Sequence, residues 1–158
     1  MSNSLEAVRQ AHIDLLNRYA HALDKRDWPA MTALFTADVV FGAKRLLGHG
    51  AGEADAFALE GRETVVGTIS KIIDSLSATH HLISNHVVDL APDGNTAEAS
   101  CYFRAYHAGG GDRAHLFEES LGRFDLKTVQ VGADWKIRRM DETIMIMLGT
   151  VEAFGVGP

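Results

Sequence analysis

Cysteine, proline and positive charge are all scarce in this chain. It holds one cysteine, three prolines and 15 Lys and Arg against 21 Asp and Glu in 158 residues, a formal charge of −6. The lone Cys101 cannot form an internal disulfide, which fits a reducing compartment and makes cytoplasm the expected location. No Lys/Arg run occurs, and a phosphate-binding surface needs clustered cations, so nucleic acid is not an expected partner. A polybasic membrane anchor is set aside on the same ground. Long hydrophobic runs are missing too, which argues against a membrane-spanning helix. Met1 to Leu5 has no basic and apolar halves of a secretory signal.

What remains has the composition of an ordinary globular protein, with 46% apolar and 23% charged residues. Its length suits a single domain over residues 1–158. Residues 4–23 read as an amphipathic helix, with Leu5, Val8, His12, Leu15, Leu16, Tyr19, Ala22 and Leu23 at helical spacing. Asp24-Lys25-Arg26-Asp27 interrupts it, and Pro29 opens a second helix with Met31, Leu34 and Phe35 facing inward. After a short β-like run, Val39-Val40-Phe41, residues 42–61 carry five glycines without periodicity and read as a long loop. A third helix begins near Arg62, with Val65, Val66, Ile69, Ile72, Ile73 and Leu76 in one stripe.

From His80 onward the period shifts toward two. His81 to Leu90, Thr96 to His107, His115 to Thr128 and Trp135 to Met140 read as strands, with Pro92-Asp93-Gly94-Asn95 as the first turn. In the second strand Ala97, Ala99, Cys101, Phe103 and Ala105 share one face. The tail, Thr143 to Phe154, contains Ile144-Met145-Ile146-Met147-Leu148, a further strand or an apolar lid. Helices first and an antiparallel sheet after is an α+β order. The small inward residues leave room for close helix packing or for a guest.

Two segments, Tyr19-Ala20-His21-Ala22-Leu23-Asp24-Lys25-Arg26-Asp27-Trp28 and Leu34-Phe35-Thr36-Ala37-Asp38-Val39-Val40-Phe41, resemble the opening of SnoaL-like proteins of the nuclear transport factor 2-like superfamily. Thr79-His80-His81-Leu82-Ile83-Ser84-Asn85 and Asp134-Trp135-Lys136-Ile137 extend the resemblance over nearly the whole chain. It implies a cone, a curved antiparallel sheet wrapped around three N-terminal helices with an apolar pocket at its open end. Within that superfamily the chain is similar at two positions to enzymes of the scytalone dehydratase, hexachlorocyclohexane dehydrochlorinase and bile acid 7α-dehydratase type. Their Asp–His dyad falls here on Asp24 and His81.

Such a dyad works without a metal or cofactor. A carboxylate that accepts a hydrogen bond from one imidazole nitrogen fixes the tautomer and raises basicity, leaving the other nitrogen to take a proton from substrate. By residue type alone, Asp24 reads as a solvated charge in a turn and His81 as a hydrogen-bonded core histidine, and it is their pairing that points to chemistry. The resemblance further implies His107 as a second pocket histidine, although a strand end beside Gly109 also suits an exposed residue. Tyr19, one turn before Asp24 on the apolar stripe, could present its hydroxyl to substrate or sit in the core. Arg139 or Arg138 falls where related enzymes carry a cationic pocket residue, and a one-residue slip in register would place either in solvent. Of the scytalone dehydratase tyrosines, the one before the Asp is Leu23 here and the second falls near Ala43 in the glycine-rich stretch, so that enzyme's device for holding a catalytic water is not implied.

Other constellations carry less. His80 and His86 share a strand face but lie about 20 Å apart at 3.3 Å per residue, and His81 faces away from His86, so no metal site is expected. Gly48-His49-Gly50-Ala51-Gly52 lacks the strand and the Lys-Ser/Thr of a phosphate cradle. Ser120 lacks the setting of a nucleophile elbow, and Cys101 reads as an inert buried thiol. The expectation is a cofactor-independent lyase or isomerase, dehydratase-like, in which Asp24 and His81 act as general base on a small hydrophobic cyclic substrate. Its alternative is a non-catalytic small-molecule-binding or dioxygenase β-subunit-like module. Either is expected to form a homodimer or homotrimer.

Overall fold

A computed structural model describes residues 4–48 and 50–155. Helix α1 runs Leu5–Lys25, started by Ser4, whose hydroxyl accepts the Ala7 N–H at 3.2 Å. It continues two residues past the periodic stripe because Arg26 adopts a left-handed conformation (φ 56°) and closes the helix onto the carbonyls of Ala22 and Leu23. Asp24 therefore sits in the last helical turn. The Arg26 guanidinium donates to the Leu76 carbonyl at 2.9 Å, which ties the end of α1 to the chain entering the sheet.

Helix α2, Trp28–Leu34, is capped by the Asp27 carboxylate on the Ala30 N–H and has proline in its first turn. Strand β1, Phe35–Leu46, pairs antiparallel with β2, Glu53–Glu60. The long loop expected over residues 42–61 is thus mostly a hairpin. Its Ala- and Glu-rich second strand has weak β propensity. It is held by the ladder to β1 and by the Lys44–Glu53 and Arg45–Asp55 ion pairs. His49 lies outside the described residues.

Helix α3, Arg62–Asp74, lays Val65, Val66 and Ile73 on the core. Strands β3 (Leu76–Leu90), β4 (Thr96–Gly109), β5 (Phe117–Val131) and β6 (Asp134–Gly149) follow. The fourth strand and the apolar tail are one element, since the polar Asp141-Glu142-Thr143 that separates them in sequence stays in the ladder. Short 3-10 turns, Gly111–Arg113 and Val151–Phe154, sit at the end of the sheet where β4 and β6 finish.

The sheet order is β2-β1-β6-β5-β4-β3. All pairs are antiparallel except β1 with β6, so the sheet is mixed and not wholly antiparallel as expected. Local hairpins explain the antiparallel pairs. The parallel one joins strands separated in sequence by α3 and four further strands, a contact that no short-range pattern encodes. The curved, unclosed sheet and three helices form the α+β cone. Its core joins Leu16, Tyr19 and Leu23 of α1 to Phe35 and Phe41 of β1 and to the inner faces of β4, β5 and β6. No helix among the described residues is long and apolar enough to cross a membrane.

Candidate active site

The open end of the cone holds a cavity of about 210 Å³ between α1, α3 and the sheet. Its walls are chiefly apolar: Leu23, Phe41, Leu59, Ile69, Phe103 and Phe124. Val151 and Phe154 of the C-terminal turn close one side. That turn is fastened by Arg113, which donates to the carbonyls of Ala153 at 2.6 Å and Ser75 at 3.0 Å. Polar side chains entering the cavity are few, namely Tyr19, Thr68, His81, His107, Glu118, Ser120 and Glu142, and no lining residue is Lys or Arg.

Asp24 and His81 meet at the edge of this cavity. The α1 terminus points Asp24 at the start of β3, where Thr79 and His81 share a face. Asp24 Oδ1 accepts from His81 Nδ1 at 2.7 Å and from the Thr79 hydroxyl at 2.9 Å, while Oδ2 accepts the His81 backbone N–H at 3.0 Å. Burial raises the Asp24 carboxyl. The bonds from the His81 ring and backbone, the imidazole's charge and the Thr79 hydroxyl together outweigh it and hold the group below the usual aspartate range. An ionised acceptor at Nδ1 places the ring proton there and leaves the Nε2 lone pair free. The His81 side chain is 7% exposed, against 23% for Asp24.

A second histidine–carboxylate pair lies beside it. His107 and Glu118 are direct cross-strand neighbours on β4 and β5, with His107 Nδ1 2.6 Å from Glu118 Oε2. The Ser120 hydroxyl donates to the other Glu118 oxygen. The His81 and His107 rings meet edge to face, with centroids 5.4 Å apart, and Phe154 packs against His107 at 5.0 Å. His107 is therefore a buried cavity residue and not an exposed strand end.

Tyr19 also reaches the cavity, 3% exposed and packed edge-on against Phe35 and Phe124. Burial above all, with the Glu142 and Cys101 charges behind it, holds its phenol well above the ordinary range, so it stays neutral. Arg139 does not line this cavity. In β6 it alternates with fully buried Met140, so it points outward and forms two bonds to Asp141, at 2.6 and 2.8 Å. Arg138 pairs with Asp38 at 3.6 Å on the surface. Neither is in place to contact a molecule beside His81.

Glu118 and Glu142 were not singled out from the sequence. A period-two signal was available for both, since Glu118 and Ser120 are in phase with the inward Phe124 and Leu126, and Glu142 with Met140 and Ile144. Charge at an inward strand position is the sign of a cavity.

The sequence matches the SnoaL-like domain over residues 4–141. No curated protein gives a significant match. Among crystal structures, a candidate aromatic ring hydroxylase from Novosphingobium aromaticivorans is 25% identical with a TM-score of 0.76, over 96% of this chain and 99% of that one. A candidate scytalone dehydratase from the same organism is 20% identical with a TM-score of 0.72, over 89% and 86%. Hexachlorocyclohexane dehydrochlorinase LinA-type3 from Novosphingobium barchaimii is 12% identical with a TM-score of 0.71, over 97% of each chain. With a match that takes in both members of the Asp24–His81 pair and all but the end of the sheet, the chain belongs to the SnoaL-like domain family.

Proposed function

We propose that the protein is a cofactor-independent lyase or isomerase, dehydratase-like, acting on a small hydrophobic cyclic molecule with His81 as general base and Asp24 as its orienting carboxylate. The observation that carries this reading is the Asp24–His81 bond of 2.7 Å at the wall of an apolar cavity. Asp24 stabilises the imidazolium that forms when Nε2 takes a proton, and in a space that excludes water this charge-assisted bond strengthens. A candidate dehydratase and a dehydrochlorinase are among the structural relatives, and elimination is a reaction class that such a base serves. Tyr19 and His107 are the proposed contacts to the substrate's polar atoms.

With a cyclic β-hydroxy ketone as substrate, His81→Ala and Asp24→Asn are expected to lower kcat by about 10²–10⁴-fold, the range typical of a positioned general base. Unchanged turnover in either variant defeats the assignment.

A second reading, a non-catalytic binding or β-subunit-like module, draws on the exposed Met145, Ile146 and Leu148 at the end of β6. That strip also suits association into a dimer or trimer. Light scattering is expected to give the mass of two or three chains, and a monomer at high concentration would remove the argument for an interface there.

A further inference from the structure

Glu142 is a cavity carboxyl, without a partner among the described residues, that the Asp24–His81 reading leaves unused. It projects from the middle of β6 into the cavity, opposite Phe124 in the β5 ladder. It is half-buried and lines the cavity, and the protein packed around it desolvates its carboxyl. Among the described residues it has no hydrogen-bond or ion-pair partner, and no Lys or Arg lines the space it enters. The groups that share this space are Tyr19 from α1, His81 from β3, His107 from β4 and Glu118 from β5, while β1, β2 and α3 present Phe41, Phe57, Leu59, Thr68 and Ile69. Glu118 is committed to His107 and Ser120, and His81 to Asp24. A carboxylate placed here would be buried, uncompensated and beside another carboxylate, the setting in which a carboxyl keeps its proton.

We propose that Glu142 is a neutral carboxylic acid in the resting cavity and acts as the proton donor to the carbonyl oxygen of the substrate, which is an uncharged ring ketone and not an anion. The proposal rests on His81 as base. Burial, reinforced by Glu118, pushes the Glu142 carboxyl up to about 7, in keeping with that arrangement.

His81 Nε2 takes the proton from the carbon beside the carbonyl. The C–H electron pair becomes the C=C bond of an enol, the carbonyl π pair moves to oxygen, and that oxygen takes the Glu142 proton. On collapse the oxygen returns this proton to Glu142 and the enol pair expels a β-hydroxyl, which takes the proton from His81 and leaves as water. In an isomerisation His81 returns its proton to the distal carbon instead. Glu142 ends as it began. An anionic substrate finds no free cation among the lining residues and meets two carboxyl groups.

The state of Glu142 can be read without any ligand. Infrared difference spectra of the full-length protein between pH 6 and pH 8 are expected to show a protonated-carboxyl C=O band that titrates near neutrality, disappears in Glu142→Gln and persists in His81→Ala. Glu118→Gln, which removes the neighbouring charge and leaves Glu142 intact, is expected to shift its midpoint to lower pH. No such band at pH 6, or a band that survives Glu142→Gln, overturns the proposal.

The donor role is read by calorimetric titration with α-tetralone, a neutral bicyclic ketone, and 1-naphthoate, an anion of similar outline. Tetralone affinity is expected to be constant below neutrality and to fall about tenfold per pH unit above it, because binding then requires proton uptake. The pH dependence vanishes in Glu142→Gln, and naphthoate binds at least about 100-fold more weakly than tetralone at pH 6. Naphthoate binding as tightly as tetralone, tetralone affinity indifferent to pH from 6 to 9, or no tetralone binding at pH 6 each overturns it. Failure of the His81 reading shows separately, as unchanged turnover in His81→Ala with the Glu142 band and tetralone titration intact.

Discussion

Cys101 and Glu142 show at the scale of single residues how one cause, burial, has opposite consequences for chemistry. Cys101 lies on the inner face of β4, 1% exposed, and desolvation above all pushes its thiol up to about 12. The thiolate is the nucleophile, so almost none of the reactive form exists at neutral pH. Native protein is expected to show no reaction with a thiol-specific disulfide reagent over hours at pH 8, and one equivalent of reaction once unfolded in guanidinium; rapid native labelling would contradict the packing of β4. Glu142 differs because its buried carboxyl faces a cavity and not side chains. Asp24 and His81 were legible because both stand in runs that resemble a known family. Arg139 was misplaced by the ambiguity that period two imposes, where one position decides between cavity and solvent. Strict alternation would put it on the inward face with Ile137, but the irregular register near Thr128 and Ile137 turns Met140 inward instead, and no local signal in the sequence announces that shift.

At the scale of elements, α1 and the sheet are joined where the chemistry is. The left-handed turn at Arg26 ends α1 so that its last side chain but one meets β3, and Phe103 stacks on Phe124 at 4.4 Å to floor the cavity. That stack needs Gly122, which is paired with Phe103 across β4 and β5. A Cβ at Gly122 would lie 2.7 Å from the Phe103 ring and 2.2 Å from the Thr143 carbonyl. The ring can tilt, but the β6 backbone cannot yield without losing ladder bonds. Gly122→Ala is therefore expected to lower unfolding free energy by about 1–3 kcal/mol or more by overpacking. Urea denaturation checks this, and a midpoint within error of wild type would mean that β5 and β6 are less rigidly paired than the register implies. The helices and the β4 alternation were readable because each follows its own period over many residues. The β1–β2 hairpin was not, since glycines and small residues at 42–61 carry no pattern and the pairing is imposed by the neighbouring strand.

For the molecule as a whole, the cavity sets a pH dependence of stability that runs against the usual one. Asp24 is held below its unfolded range, so its contribution is present above about pH 4 and is lost as pH falls through its folded value. His12, buried against Trp135 and bonded to Thr128 at 2.7 Å, is held below the ordinary histidine value chiefly by desolvation, so it favours the folded state more as pH rises toward neutrality. Glu142 acts in the other direction. Its carboxyl is raised from 4.5 to about 7, so between those values the folded chain holds a proton that the unfolded chain releases, and stability falls as pH rises through that window. At about 1.4 kcal/mol per pH unit over that span, the loss is about 3–4 kcal/mol and is complete above neutrality. Because His12 and Glu142 oppose each other, the total slope is uninformative and the difference between two proteins is the quantity to measure. Glu142→Gln keeps the shape of the side chain and cannot ionise, so its stability relative to wild type is expected to be constant below about pH 4.5, to climb between pH 4.5 and 7, and to level off above. Urea denaturation of both proteins at half-unit intervals from pH 4 to pH 8.5 tests this. A difference that does not vary with pH would mean that Glu142 is as ionised and as well solvated in the folded cone as in the open chain.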